Sequence, residues 1–158
     1  MKKFALLLML ALTTLSANAQ FEKGKKYVNA SLSGLGLSYS SEQKFRFGVD
    51  LNAGYFIADC LMLRGNVGYD HTKSIDDVTV GAGARYYFDQ NGIYLGAGLE
   101  YAHYTSNSND LLIPLEVGYA FFINHYITIE PSIYYKMSLD DFSDKSSIGL
   151  KVGFGFYF

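Results

Sequence analysis

The sequence predicts an all-β fold: an eight-stranded antiparallel transmembrane up-and-down β-barrel, closed on itself. Three observations carry this reading. Apolar and polar residues alternate with period two almost from end to end, aromatic residues bracket the aliphatic stretches of the apolar face, and tight turns alternate with longer polar connections. In the segment Phe45–Tyr55 the odd positions are apolar and the even ones polar or Gly, and Leu61–Tyr69 repeats the pattern. Side chains of a strand point alternately to its two faces, so each such segment owns one apolar and one polar face.

Strands are predicted at 27–39, 43–57, 61–71, 78–89, 92–104, 111–123, 126–137 and 146–158. The first changes phase near Ser33-Gly34, which predicts a bulge. Ala58-Asp59-Cys60, Gln90-Asn91-Gly92 and Asn124-His125 read as tight hairpin turns. Ser40–Gln43, Thr72–Asp77, Thr105–Asp110 and Ser138–Lys145 read as longer polar loops. With an even strand number both termini fall at the short-turn end. Tyr55–Tyr69, Tyr87–Tyr101 and Phe121–Tyr135 superpose without gaps, so a hairpin unit recurs about every 33 residues, as in a ring built of repeated hairpins. Pro131 falls mid-strand on the apolar face, where it removes a ladder donor. A bulge or a locally open pairing is expected there.

Lys2 and Lys3, the apolar stretch Phe4–Leu12 and Ala17-Asn18-Ala19 predict a secretory signal peptide over residues 1–19, cleaved before Gln20. That apolar stretch is shorter than the roughly 20 residues a spanning helix needs, and no run of 18 apolar residues follows it. Residues 20–158 are then one domain. Cys60 is the only cysteine, so no intramolecular disulfide can form. It also lies too far from the cleavage site to carry an N-terminal lipid. A net charge of −2 gives no electrostatic case for a nucleic-acid partner.

Alternation alone does not separate a membrane barrel from a soluble sandwich. The aromatic placement does. Tyr55, Tyr86, Phe88 and Phe121 lie on the apolar face near the short turns, and Tyr69, Tyr101 and Tyr135 near the loops, with Val, Leu, Ile and Ala between. Two such belts match the interfaces of a bilayer. The other face carries Arg46, Arg64, Arg85, Lys136 and Lys151 against Asp50, Asp70, Glu100, Glu116 and Glu130, with Tyr94, Tyr104, Tyr134 and many glycines. In a narrow barrel glycine makes room for large inward neighbours, and opposite charges pair across the lumen. This set is therefore expected to form a packed polar core.

The chain ends Lys151-x-Gly153-x-x-Phe156-x-Phe158, with Phe154, Phe156 and Phe158 on one face. This resembles the C-terminal β-signal read by the outer-membrane assembly machinery: a polar residue, Gly and two alternating hydrophobics, the last terminal. From here the whole mature chain resembles the small, porin-like outer-membrane β-barrels of Gram-negative bacteria, in the size class of OmpA and OmpX. The resemblance implies residence in the outer membrane after secretory export, as a monomer without cofactor. It also implies outer-membrane lipid and lipopolysaccharide as surroundings, and the assembly machinery and periplasmic chaperones as partners.

The role this implies is structural and passive, with at most a narrow path for small solutes. Two other roles are weighed. One is a surface-binding, adhesin-like protein, whose loops look short for an interface that normally buries about 800 Å² per partner. The other is a lipid A-modifying enzyme. His103-Tyr104-Thr105-Ser106-Asn107 loosely resembles the His-x-Ser-Asn segment of outer-membrane lipid A deacylases, and a hydroxyl near an oriented His can act as a nucleophile. Thr105 stands where Ser should be, however, Ser106 is displaced by one, and Glu116 belongs to the inward set, so no catalytic set is expected. His71, His103 and His125 are scattered without zinc spacing. Asp140, Asp141 and Asp144 lack the spacing of an EF-hand loop, and no metal is assigned.

Overall fold

A computed structural model of the chain describes residues 21–33, 46–72, 75–88, 91–104, 109–139 and 146–158. The strands are β1 (Lys26–Ser33), β2 (Arg46–Ala58), β3 (Leu61–Thr72), β4 (Ile75–Tyr87), β5 (Ile93–Tyr104), β6 (Asn109–Tyr119), β7 (Phe121–Phe122), β8 (Ile127–Ser138) and β9 (Ser147–Tyr157). Each pairs antiparallel with its neighbours, β9 pairs with β1, and β6 and β7 both pair with β8. The sheet is thus closed. β6 and β7 flank Ala120 as two parts of one stave, which gives the eight-stranded barrel that the alternation predicts.

The faces divide as expected. Leu51, Val80 and Leu99 point outward at 54–58% exposure, while Asn52, Arg85 and Glu100 point inward and are buried. Such a continuous apolar exterior would aggregate in water and belongs in hydrocarbon. Tyr55, Tyr86 and Phe88 are exposed at the short-turn end, and Tyr69 and Tyr101 at the other. Phe121 and Tyr135 are half-buried.

The connections differ from expectation at the far end. Thr72 pairs with Ile75, so residues 73–74 alone join β3 to β4, where a loop over Thr72–Asp77 is predicted. His103 pairs with Asn109, which shortens the next connection to 105–108. Backbone pairing does not require apolar side chains, so the wall continues past the point where the apolar face ends. The phase change is expected near Ser33-Gly34; Ser33 stays in register with Gly48 and Lys151, and Gly34 lies outside the described residues, as do the loop over Ser40–Gln43 and 140–145 of the last loop.

At the short-turn end the turns at Ala58-Asp59-Cys60 and Asn124-His125 stand as predicted, while Gln90 of the third lies outside the described residues. Cys60 adopts φ +64° at the β2–β3 turn. A register shift lies between Phe56 and Ala58. Asn124 Oδ1 accepts the N–H groups of Tyr126 and Ile127, both at 2.8 Å, which closes the β7–β8 turn. That register shift also limits the internal repeat. Tyr55 and Tyr87 are equivalent in the gapless superposition, yet Tyr55 faces out and Tyr87 is wholly buried in the lumen.

Pro131 stays in register with Val152 of β9, with no bulge. On its other side the pairing runs to Gly118↔Ser132, lapses opposite Pro131, and resumes at Phe121↔Ile129 in the same register. Of the two expected outcomes, the locally open pairing is the one that occurs. Ala120 N–H, which points to the other side of the stave, donates to Gly92 O at 2.8 Å. Pro114 does the same to β5: pairing runs through Ala97↔Leu115, skips Gly98 and Leu99, and resumes at Glu100↔Leu112.

Candidate functional site

The polar residues of the inner face meet in the lumen, and Arg85 on β4 is the centre. It is 2% exposed. Its Nη1 donates to Glu130 Oε2 of β8 at 2.9 Å, to Tyr27 Oη at 2.9 Å and to Tyr87 Oη at 3.2 Å, while Nη2 donates to Glu116 Oε1 of β6 at 3.1 Å. The guanidinium also stacks on the Tyr94 ring, 4.0 Å from its centroid. Arg85 bridges the lumen from one wall to the other.

Both carboxylates are held by further donors. Glu130 accepts the hydroxyls of Tyr27 (2.6 Å), Tyr157 (2.8 Å) and Thr128 (2.8 Å). Glu116 accepts Tyr94 Oη at 3.1 Å and pairs with Arg64 Nη2 at 2.7 Å and, at 3.6 Å, with Lys151 Nζ. Nearer the loops, Lys136 Nζ lies 3.0 Å from Glu100, which also accepts Asn66 Nδ2 at 2.8 Å. Buried charges persist only when paired and hydrogen-bonded in this way, and removing one partner typically costs about 3–5 kcal/mol. The network crosses strands far apart in sequence, so it ties the closed barrel together as well as filling it.

Below Arg85, at the short-turn end, lies an apolar layer of Phe21, Phe56, Met62, Tyr87, Tyr94 and Tyr157, with Phe122 and Cys60 packed against it. Tyr87 Oη and Tyr157 Oη are 2.9 Å apart and link this layer to the ionic one. Above Arg85, Ser33, Asp50, Asp70, Tyr134, Lys136, Ser147 and Lys151 enclose a cavity of about 10 Å³, room for roughly one water molecule. Ion pairs and rings thus occupy the lumen at Arg85 and below it.

Of the lumen set read from the sequence, Arg64, Arg85, Glu100, Glu116, Glu130, Lys136 and Lys151 come together in ion pairs. Asp50 is buried beside them in the cavity wall. The side chains of Arg46 and Tyr104 lie outside the described residues. At the C-terminus Phe154, Phe156 and Phe158 face outward, while Gly153 faces the Asn29 side chain inside. His103 Nδ1 is 2.7 Å from Asn109 Oδ1 on the outer surface. Glu116 is inside, bound by arginines, so it does not orient that imidazole. Ser106, Asp140, Asp141 and Asp144 lie outside the described residues. The apolar plug is what the sequence reading missed. In the barrel Tyr27, Tyr87 and Tyr157 point inward from their strands, but Phe21 precedes every strand and no periodicity announces it.

A family model described as "Outer membrane protein beta-barrel domain" matches residues 4–158. The chain belongs to that family. It is an outer-membrane β-barrel protein, and solved barrels share its fold at low identity. The N-terminal β-barrel domain of Pseudomonas aeruginosa OprF is 17% identical with a TM-score of 0.66, over 86% of this chain and 98% of that one. Neisserial surface protein A is 18% identical with a TM-score of 0.65, over 85% and 96%. Yersinia pestis Ail in a phospholipid nanodisc is 12% identical with a TM-score of 0.60, over 86% and 100%. No curated protein sequence matches the chain.

Proposed function

We propose that this barrel is a structural, passive element of the outer membrane, with a narrow path for small solutes that its own side chains hold shut. The observation that carries this reading is the Arg85 clamp, which spans the lumen between Glu116 and Glu130 over a layer of stacked rings. A solute would have to break buried charge pairs to pass, and broken buried pairs are costly. In this reading the protein is not an enzyme. The short connections 73–74 and 105–108 offer little area to a surface partner, which favours the passive role over adhesion.

The same reading gives the chain its surroundings. Residues 1–19 act as the cleaved export signal, and periplasmic chaperones escort the unfolded chain. The outer-membrane assembly machinery reads Lys151, Gly153, Phe156 and Phe158, and lipid and lipopolysaccharide cover the apolar wall of the monomer. The test is planar-bilayer recording of the purified, folded barrel. The native protein is expected to show no steady conductance, and Glu130→Ala to introduce discrete openings. Steady conductance by the native barrel would refute the closed lumen.

A further inference from the structure

Residues 21–25 belong to no strand, yet they hold one of the wholly buried rings of the short-turn end. Phe21 is wholly buried. Its ring stacks on Tyr87 of β4 at 4.0 Å and meets Phe122 of β7 at 5.6 Å, Tyr157 of β9 at 5.7 Å and Phe56 of β2 at 6.1 Å, edge-on or tilted. A ring in contact with four staves stands in the middle of the mouth. The backbone of the same segment is held on one side only. Phe21 O accepts Cys60 N–H at 2.7 Å, Gly24 N–H donates to Phe56 O at 2.8 Å, Lys25 O accepts Phe56 N–H at 2.9 Å, and Lys23 N–H donates to Asp59 Oδ1 at 2.9 Å. All of these partners lie on β2 or on the β2–β3 turn. Gly24, at φ +94°, makes the sharp bend between this strap and β1.

We propose that residues 21–25 form a hinged lid over the short-turn mouth of the barrel. Attachment to one hairpin, exposure of the residues Glu22, Lys23 and Gly24, and a bend on glycine are the features of a segment that opens without unfolding the sheet. The lid also bears on the clamp. Two of the rings that meet Phe21 are those of Tyr87, whose hydroxyl accepts from Arg85, and Tyr157, whose hydroxyl donates to Glu130. Lifting Phe21 frees both rings and loosens the groups that orient the ion pairs. The lid thus regulates the path of the closed-lumen reading and rests on that reading for its role, while its existence is testable separately.

Cys60, the sole cysteine, is half-buried against the plug, and its N–H is tied to the lid. Its reaction rate with a bulky, membrane-impermeant maleimide on the full-length folded barrel therefore reports lid opening. Phe21→Ala is expected to accelerate labelling on the order of ten-fold, and Phe21→Trp to restore a rate near the native one. Asp59→Ala, which removes an acceptor on an exposed turn and leaves the barrel intact, is expected to accelerate it by a smaller factor. Heat-modifiable gel migration identifies the folded variants. Labelling at the native rate in folded Phe21→Ala overturns the lid, and so does labelling at the native rate in Asp59→Ala should Phe21→Ala not fold. A native barrel that conducts overturns the closed lumen instead, and leaves the dependence of Cys60 labelling on Phe21 to be read on its own.

Discussion

At the level of single residues, the barrel is narrow enough that large inward side chains need bare backbone opposite them. Gly118 is such a place: a Cβ added there would run into the Tyr94 ring, the same ring on which Arg85 stacks. Tyr94 is wholly buried and has nowhere to retreat. Gly118→Ala is therefore expected to destabilise the folded barrel by about 1–3 kcal/mol, read from urea unfolding in lipid vesicles. Unchanged stability would show that the lumen is looser than described. Gly155 has the corresponding relation to Glu130 and Thr128. Both glycines were legible in the sequence as inward positions, but their partners were not. Gly118 is 24 residues from Tyr94 and meets it only because β5 and β6 are neighbours.

At the level of elements, proline decides where the ladder opens. Pro131 has no N–H to give, and the pairing between its strand and the β6–β7 stave lapses there without a change of register. Because the register is unbroken, Pro131→Ala restores a donor in place. It is expected to stabilise the barrel by about 0.5–1.5 kcal/mol, the net value of one hydrogen bond, and to slow amide exchange around Tyr119–Ala120. Loss of stability would mean that the open pairing is compensated by something the alanine disturbs. The sequence marked Pro131 as a break and left open whether a bulge or a gap would result. Pro114 was passed over because it lies on the inner face, where its contribution to alternation hid its effect on the ladder.

At the level of the whole molecule, the exposed apolar band is stable only against hydrocarbon. Leu99 sits in that band, 55% exposed, between the aromatic belts. Leu99→Arg places a charge in the lipid and is expected to cost about 2–4 kcal/mol of folding stability in a bilayer. Measured in a bilayer and again in detergent, the cost should be larger in the bilayer, where no water reaches the site. An equal penalty in both would argue that Leu99 touches protein rather than lipid. The same balance makes the lumen the reverse of a soluble core, since its charges are the buried side and its aliphatics the exposed one.

Period-two alternation is a local property of the chain, and it determined the fold class, the two faces, the aromatic belts and most strand positions without help from tertiary contacts. It also set which charges enter the lumen. Their pairing was decided by closure alone. Arg85 meets Glu130 across 45 positions of sequence, and Tyr27 meets Glu130 across 103, because the stagger between staves fixes the height of each side chain in the ring. A pattern that repeats every two residues carries no information about that stagger. Nor does it reach Phe21, which lies outside every strand and finds its place only once four strands stand around it.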